Sequence, residues 1–258
     1  MHPRISVNHA SFPKTTTLAD DLRVCQDAGA ERIALHRDKL ARSGWDLGAV
    51  RASGLTVTHL IHRNAFVLDA PATWDAARAE LTRTLVTADA LGAERVYLTT
   101  GPRGPLDFDA AAAAFTAAVA PCVTDALLLE TANPQFADIH FLHTLRDTVD
   151  VAEQAGIGVC LDIHACWTER DLRATIARAA GRIGLVQVSD YAPGTYTLDR
   201  SVPGDGVIPL GEIIGWVEAG GYDGVYDLEL RGEHAEGLAG ALRRAAAQLA
   251  PILERMPA

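Results

Sequence analysis

The chain has 258 residues, with 23 Lys and Arg against 33 Asp and Glu, for a formal net charge of −10. That acid surplus argues against the broad basic face that neutralises phosphates, so no nucleic-acid partner is expected, while a local basic pocket stays open. Hydrophobic residues at 48% and charged residues at 22% describe a folded globular chain, long enough to bury a large core without cross-links. The four cysteines, at positions 25, 122, 160 and 166, form no CxxC pair and no disulfide framework. The N-terminal MHPRISVNHASF lacks an apolar signal core, and no apolar run approaches the roughly 20 residues of a membrane span. The expectation is a cytoplasmic protein with no membrane partner.

Short apolar runs rich in Val, Ile, Leu or Tyr recur along the chain. They cover residues 4–9 (RISVNH), 31–36 (ERIALH), 55–60 (LTVTHL), 94–100 (ERVYLTT), 125–130 (DALLLE), 157–164 (IGVCLDIH), 182–189 (RIGLVQVS) and 224–230 (GVYDLEL). Each has the length and composition of a buried strand. Between them, residues 75–91, 107–122 and 141–155 carry apolar side chains at helical spacing. Gly29, Gly92, Gly156 and Gly221 stand just before the next strand, where a helix ends in a left-handed residue. Eight strands alternating with helices predict a single α/β domain, a (β/α)8 barrel spanning residues 1–258. An open doubly wound sheet is disfavoured because no GxGxxG follows the first strand.

Such barrels place their chemistry at the carboxyl ends of the strands. The residues predicted there are His9, His36, His59 with His62, Thr99 with Thr100, Glu130, Asp162 with His164, Gln187 with Asp190, and Glu229. Buried carboxylates and imidazoles cost several kcal/mol unless they find partners. A divalent cation would supply one. Glu130, Asp162 and Glu229 offer carboxylates and Gln187 a carbonyl oxygen, a hard donor set that suits Mg or Mn. His164, two residues past Asp162, would share its face if the strand continued, and a nitrogen ligand would shift the preference towards Mn, Co or Zn.

Residues 127–230 resemble the xylose isomerase-like superfamily of sugar isomerases and epimerases, which also includes inosose and 3-dehydroshikimate dehydratases and endonuclease IV. The resemblance is carried by LLLE ending at Glu130, CLDIHACW with Asp162, LVQVSD with Gln187 and Asp190, DRSVPGDGVIPL with Arg200, and GYDGVYDLEL with Glu229. It implies Glu130, Asp162 and Glu229 as ligands of one divalent metal, with Gln187 where relatives have His. It implies Arg200 as a contact to substrate oxygens. In the family's epimerases the two opposed glutamates are the bases, which implies Glu130 and Glu229 here. A homo-oligomer is likewise implied by resemblance alone.

Two departures narrow the reading. An amide oxygen at Gln187 is a weaker ligand than imidazole, and the family's Asp-x-x-His on the sixth strand is here Asp162-Ile163-His164. The Asp199-Arg200-Ser201 segment lacks the endonuclease's zinc-binding His, which agrees with the acidic charge. The expected reaction is proton abstraction beside the carbonyl of a sugar or related polyhydroxy compound, giving isomerisation or epimerisation through a metal-stabilised enediolate. His164, His59 or His62 are alternative acid–base groups. Loss of a β-hydroxyl, as in a dehydratase, is the alternative reaction, and a metal-free ligand-binding protein the alternative class. Asp190, His59 and His62 are candidate substrate contacts, although Asp190 is equally suited to pairing with Arg200 and Asp162 to capping a following helix.

Overall fold

The computed structural model describes residues 1–63, 66–194 and 197–255. Its strands are β1 (Ile5–Val7), β2 (Arg32–His36), β3 (Thr56–His62), β4 (Arg95–Leu98), β5 (Leu127–Glu130), β6 (Gly158–Asp162), β7 (Ile183–Val188) and β8 (Tyr226–Leu228). All neighbours pair in parallel and β8 closes on β1, so the predicted barrel is the one observed. The longer helices are α1 (Leu18–Asp27), α2 (Arg37–Arg42), α3 (Leu47–Ala52), α4 (Trp74–Ala90), α5 (Phe108–Val119) and α6 (Leu145–Ala155). After the short α7 (Ile163–Cys166) come α8 (Leu172–Ala179), α9 (Leu210–Ala219) and α10 (Gly237–Glu254). Gly156 ends α6 at φ +70°, a left-handed position that glycine adopts without a Cβ penalty.

Strand parity divides the core into two layers. Leu127 and Leu129 of β5, Val159 and Leu161 of β6, Val186 and Val188 of β7, and Tyr226 and Leu228 of β8 join the large cluster between sheet and helices. Ala34, Ile61, Tyr97, Leu128, Cys160 and Leu185 form a separate cluster inside the barrel. Because side chains alternate along a strand, Glu130, Asp162 and Gln187 share the inward face of Leu128, Cys160 and Leu185. Glu229 shares the inward phase of Asp227. A Cβ on Gly158 or Gly184 would stand 2.5 or 2.7 Å from Leu128 Cδ2, so these glycines clear the space that Leu128 fills. The barrel is thus plugged by apolar side chains below and lined by polar ones at its carboxyl end.

Two predicted elements have a boundary that a local side chain resets. The helix expected over 141–155 begins at Leu145 because the Thr144 hydroxyl caps it by accepting from the Asp147 N–H. The strand expected to run through His164 ends at Asp162, whose carboxylate accepts from the His164 N–H at 3.0 Å and starts α7. His164 therefore leaves the strand face that Asp162 occupies. Among the described residues no helix is long and apolar enough to cross a membrane.

Candidate functional site

The carboxyl end of the barrel gathers Glu130, Asp162 and Glu229 around a cavity of about 10 Å³ to a water-sized sphere, room for a single water. Three arginines line the same cavity: Arg63 after β3, Arg200 in the β7–α9 connection and Arg231 after β8. Phe136 and Ile139 complete its wall, and the Arg231 guanidinium lies 5.4 Å from the Phe136 ring centroid.

The pairing is specific. Arg200 grips Asp162 with two parallel bonds, Nη1 to Oδ1 at 2.9 Å and Nη2 to Oδ2 at 2.6 Å, and both residues are buried. Glu229 Oε1 lies 2.5 Å from Arg231 Nη2, 3.7 Å from Arg200 Nε and 3.9 Å from Arg63 Nη2. Burial opposes ionisation of Glu229, but Arg200, Arg231 and Arg63 outweigh it and hold its pKa down to about 2. Glu130 is the contrast. Burial and the neighbouring Glu229 charge push its pKa up to about 7, with Arg63 opposing. The Gln187 amide faces Glu130, yet neither amide atom completes a hydrogen bond among the described residues.

Backbone fixes two of the arginines side by side. Arg200 and Arg231 exchange reciprocal N–H to carbonyl bonds, each 3.1 Å, and Ser201 does the same with Asp190 at 2.9 Å. Asp190 is not aimed at the cavity. Its carboxylate accepts the backbone N–H groups of Tyr191, Gly204, Gly206 and Ile208 at 2.8 to 3.1 Å. It is the clasp of the loop that carries Arg200, and a Cβ on Gly206 would fall 2.3 Å from Asp190 Oδ1. Asp190→Ala would orphan those donors, so a loss of about 3 kcal/mol or more is expected in a denaturant titration, with the loop rather than the carboxylates disturbed first.

The two histidines proposed on β3 stand apart from the mouth. His59 is inward but lower, with Nε2 3.1 Å from Asp227 Oδ2, which also accepts from Asn8 Nδ2 at 2.6 Å. It borders a cavity at the amino-terminal end of the barrel. His62 has the opposite parity and meets the Thr84 hydroxyl of α4 at 2.8 Å, its pKa lowered to about 4 by burial. His164, carried on α7, lines a neighbouring cavity of about 800 Å³ with Trp167 and Tyr191. Both its ring nitrogens are buried without a hydrogen-bond partner among the described residues, and burial and Arg200 lower its pKa.

Of the further strand-end histidines, His9 bonds Asp21 at 2.8 Å and His36 caps α2 through the Asp38 N–H. Sequence reasoning missed Arg63, whose signal was only its place as the first residue beyond β3. Arg231 likewise carries no signal beyond its place just after β8.

These contacts bear on the expected Glu130–Asp162–Gln187–Glu229 ligand set. Asp162 has both oxygens engaged by Arg200, and Glu229 is ion-paired. Among the described residues no three His, Cys, Asp or Glu side chains are arranged to hold a metal ion. Three carboxylates already face three guanidinium groups, so a dication would add charge to a ring that is neutral or, with Glu130 protonated, positive. The donor set does not fit a divalent metal as it stands.

No curated protein matches the chain by sequence. The protein SMc04130 from Sinorhizobium meliloti 1021 superposes with a TM-score of 0.85 at 26% identity, covering 97% of this chain and 98% of that one. The IOLI protein, in a structure with a bound zinc atom, gives 0.76 at 18% identity over 99% of both chains. The D-psicose 3-epimerase of Clostridium cellulolyticum H10, solved with D-tagatose, gives 0.75 at 17% identity over 99% of this chain and 100% of that one. The family model described as a xylose isomerase-like TIM barrel matches residues 19–252, and the chain belongs to that family.

Proposed function

We propose that the protein is an enzyme that isomerises or epimerises a sugar or related polyhydroxy carbonyl compound by moving a proton on the carbon beside the carbonyl. The observation that carries this reading is the unequal treatment of the carboxylates at one buried mouth. Asp162 and Glu229 are ion-paired, whereas Glu130 has no ion pair within 4 Å among the described residues. A buried carboxyl group that titrates near neutrality both takes and returns a proton at working pH. The guanidinium groups of Arg63, Arg200 and Arg231 are fixed donors for the carbonyl oxygen and its neighbouring hydroxyl, and they stabilise the negative charge that develops on those oxygens. Sugar epimerases among the similar folds support the substrate class.

The chemistry balances without an external oxidant. Glu130 takes the proton from the carbon, the electron pair moves into the carbonyl and an enediolate forms. Return of the proton to the neighbouring carbon, with a proton shift between the two oxygens, gives the isomer. Return to the opposite face of the same carbon gives the epimer and requires a second base there. Glu229, held as the conjugate base of a strong acid, is poorly suited to that task, which favours isomerisation with Glu130 serving one face.

The test is incubation with a panel of unphosphorylated ketoses and aldoses in deuterium oxide, followed by proton NMR. Deuterium is expected in a product of unchanged composition, on the carbon next to the carbonyl. A product lighter by one water would replace this reading with a dehydratase, and no exchange into any sugar would overturn it.

A further inference from the structure

We infer that the barrel mouth is an anion site, in which Arg63, Arg200 and Arg231 supply the positive charge that a divalent cation would otherwise bring, and that the protein holds no divalent metal there. The geometry points this way on three counts. First, Asp162 has no oxygen to offer: Arg200 takes both, and Oδ1 also accepts the His164 N–H. Releasing Asp162 would leave a buried guanidinium without its main partner. Second, Asp162 and Glu229 are already opposed by Arg200, Arg231 and Arg63, so a dication would enter a ring whose formal charges cancel and would find no uncompensated pair of carboxylates. Third, Gln187 brings no charge, and its amide is buried with both ends unpaired. Such a group suits a ligand that carries an oxygen acceptor next to a hydroxyl: the amide N–H donates to the first and the amide oxygen accepts from the second.

The main chain strengthens the case. The reciprocal bonds between Arg200 and Arg231 set the two residues opposite each other on one rung, so the main chain fixes where both side chains start. The small cavity adjoins a larger one of about 590 Å³, with which it shares Arg63, Phe136, Ile139 and Arg231. Two of the three guanidinium groups therefore stand in the wall common to both. The ligand class is a planar anion with two adjacent oxygens. That part rests on the proposed enediolate chemistry; the exclusion of a cation rests on the occupied Asp162 oxygens and the opposed charges.

The test uses the whole wild-type protein and needs no substrate. Elemental analysis of protein purified without chelator is expected to show far less than one equivalent of Mn, Mg, Co or Zn. Titration with Mn²⁺, followed by electron paramagnetic resonance, is expected to show no one-to-one binding tighter than about 100 µM. Oxalate is expected to bind one-to-one by calorimetry in the presence of EDTA, with no gain when Mn²⁺ replaces the chelator.

Stoichiometric metal, tighter Mn²⁺ binding, or oxalate binding that requires Mn²⁺ or fails altogether would overturn the inference. Arg200→Met supplies an independent check. It frees both Asp162 oxygens and removes one positive charge, so Mn²⁺ affinity should rise by about 10-fold or more. A folded Arg200→Met protein that ignores Mn²⁺ would show that the guanidinium is not what excludes the cation. Should that variant fail to fold, the wild-type titrations decide alone. None of these readouts depends on turnover, so they stand or fall apart from the isomerase reading.

Discussion

Glu130→Gln is expected to make the protein more stable and inactive at the same time. The carboxyl of Glu130 titrates near pH 7 in the fold against an ordinary value of 4.5, because burial and the Glu229 charge disfavour its ionised form. A raised carboxyl pKa means that the folded state binds the proton more tightly than the unfolded state between those two values. Stability therefore falls as pH rises from about 4.5 to about 7, and the loss stays constant above. A neutral isostere removes that cost. Linkage puts the gain at about 3 kcal/mol at pH 8, vanishing below pH 4.5. Thermal unfolding of the two proteins across pH 4 to 8 checks it, and parallel profiles would show that Glu130 ionises without difficulty. Deuterium exchange into substrate should fall by roughly 10²- to 10⁴-fold, the usual worth of a positioned acid–base group. A residue that destabilises its own fold and is needed for turnover marks where stability has been exchanged for reactivity.

Arg200→Met should have the opposite sign and a larger size. Arg200 is buried, and its removal strips Asp162 of a two-bond partner and Glu229 of a neighbouring positive charge. Breaking a buried pair from one side costs about 3–5 kcal/mol because the remaining carboxylate is left uncompensated. Chemical denaturation would show this loss, smallest at low pH where the freed carboxylate can protonate. A double variant, Arg200→Met with Asp162→Asn, should recover much of it, since no unpaired charge is then buried. Failure of the double variant to recover would place the cost in packing around the Arg200 stem.

Much of this site follows from period-two alternation. Leu128, Cys160 and Leu185 face inward, so Glu130, Asp162 and Gln187 at the next inward positions must face the mouth. The same parity separates His59 from His62, because Leu60 faces the helices and His62 shares its phase. Residue type alone had grouped both as site histidines. His164 escaped this logic because Asp162 has a second role as a helix cap, which turned the chain before the next inward position. Arg63 and Arg231 lie just beyond strands, where alternation no longer constrains direction. Their convergence depends on closure of the ring, which sets the ends of β3 and β8 around one mouth although the two strands are not paired with each other. The role of Asp190 as a clasp depends on N–H groups up to 18 residues downstream, which no local pattern reports.

The paired rungs at Arg200 and Arg231 carry one more implication. The main chain tethers the origins of these two like charges, and Glu229, 3.7 Å from Arg200 Nε and 2.5 Å from Arg231 Nη2, holds them together. The spacing that a guest would meet is therefore written in peptide hydrogen bonds as well as in side chains. Lineages could then retune recognition by reshaping the clasp around Asp190, loosening or tightening the spacing of the two guanidinium groups without altering any residue that meets the guest.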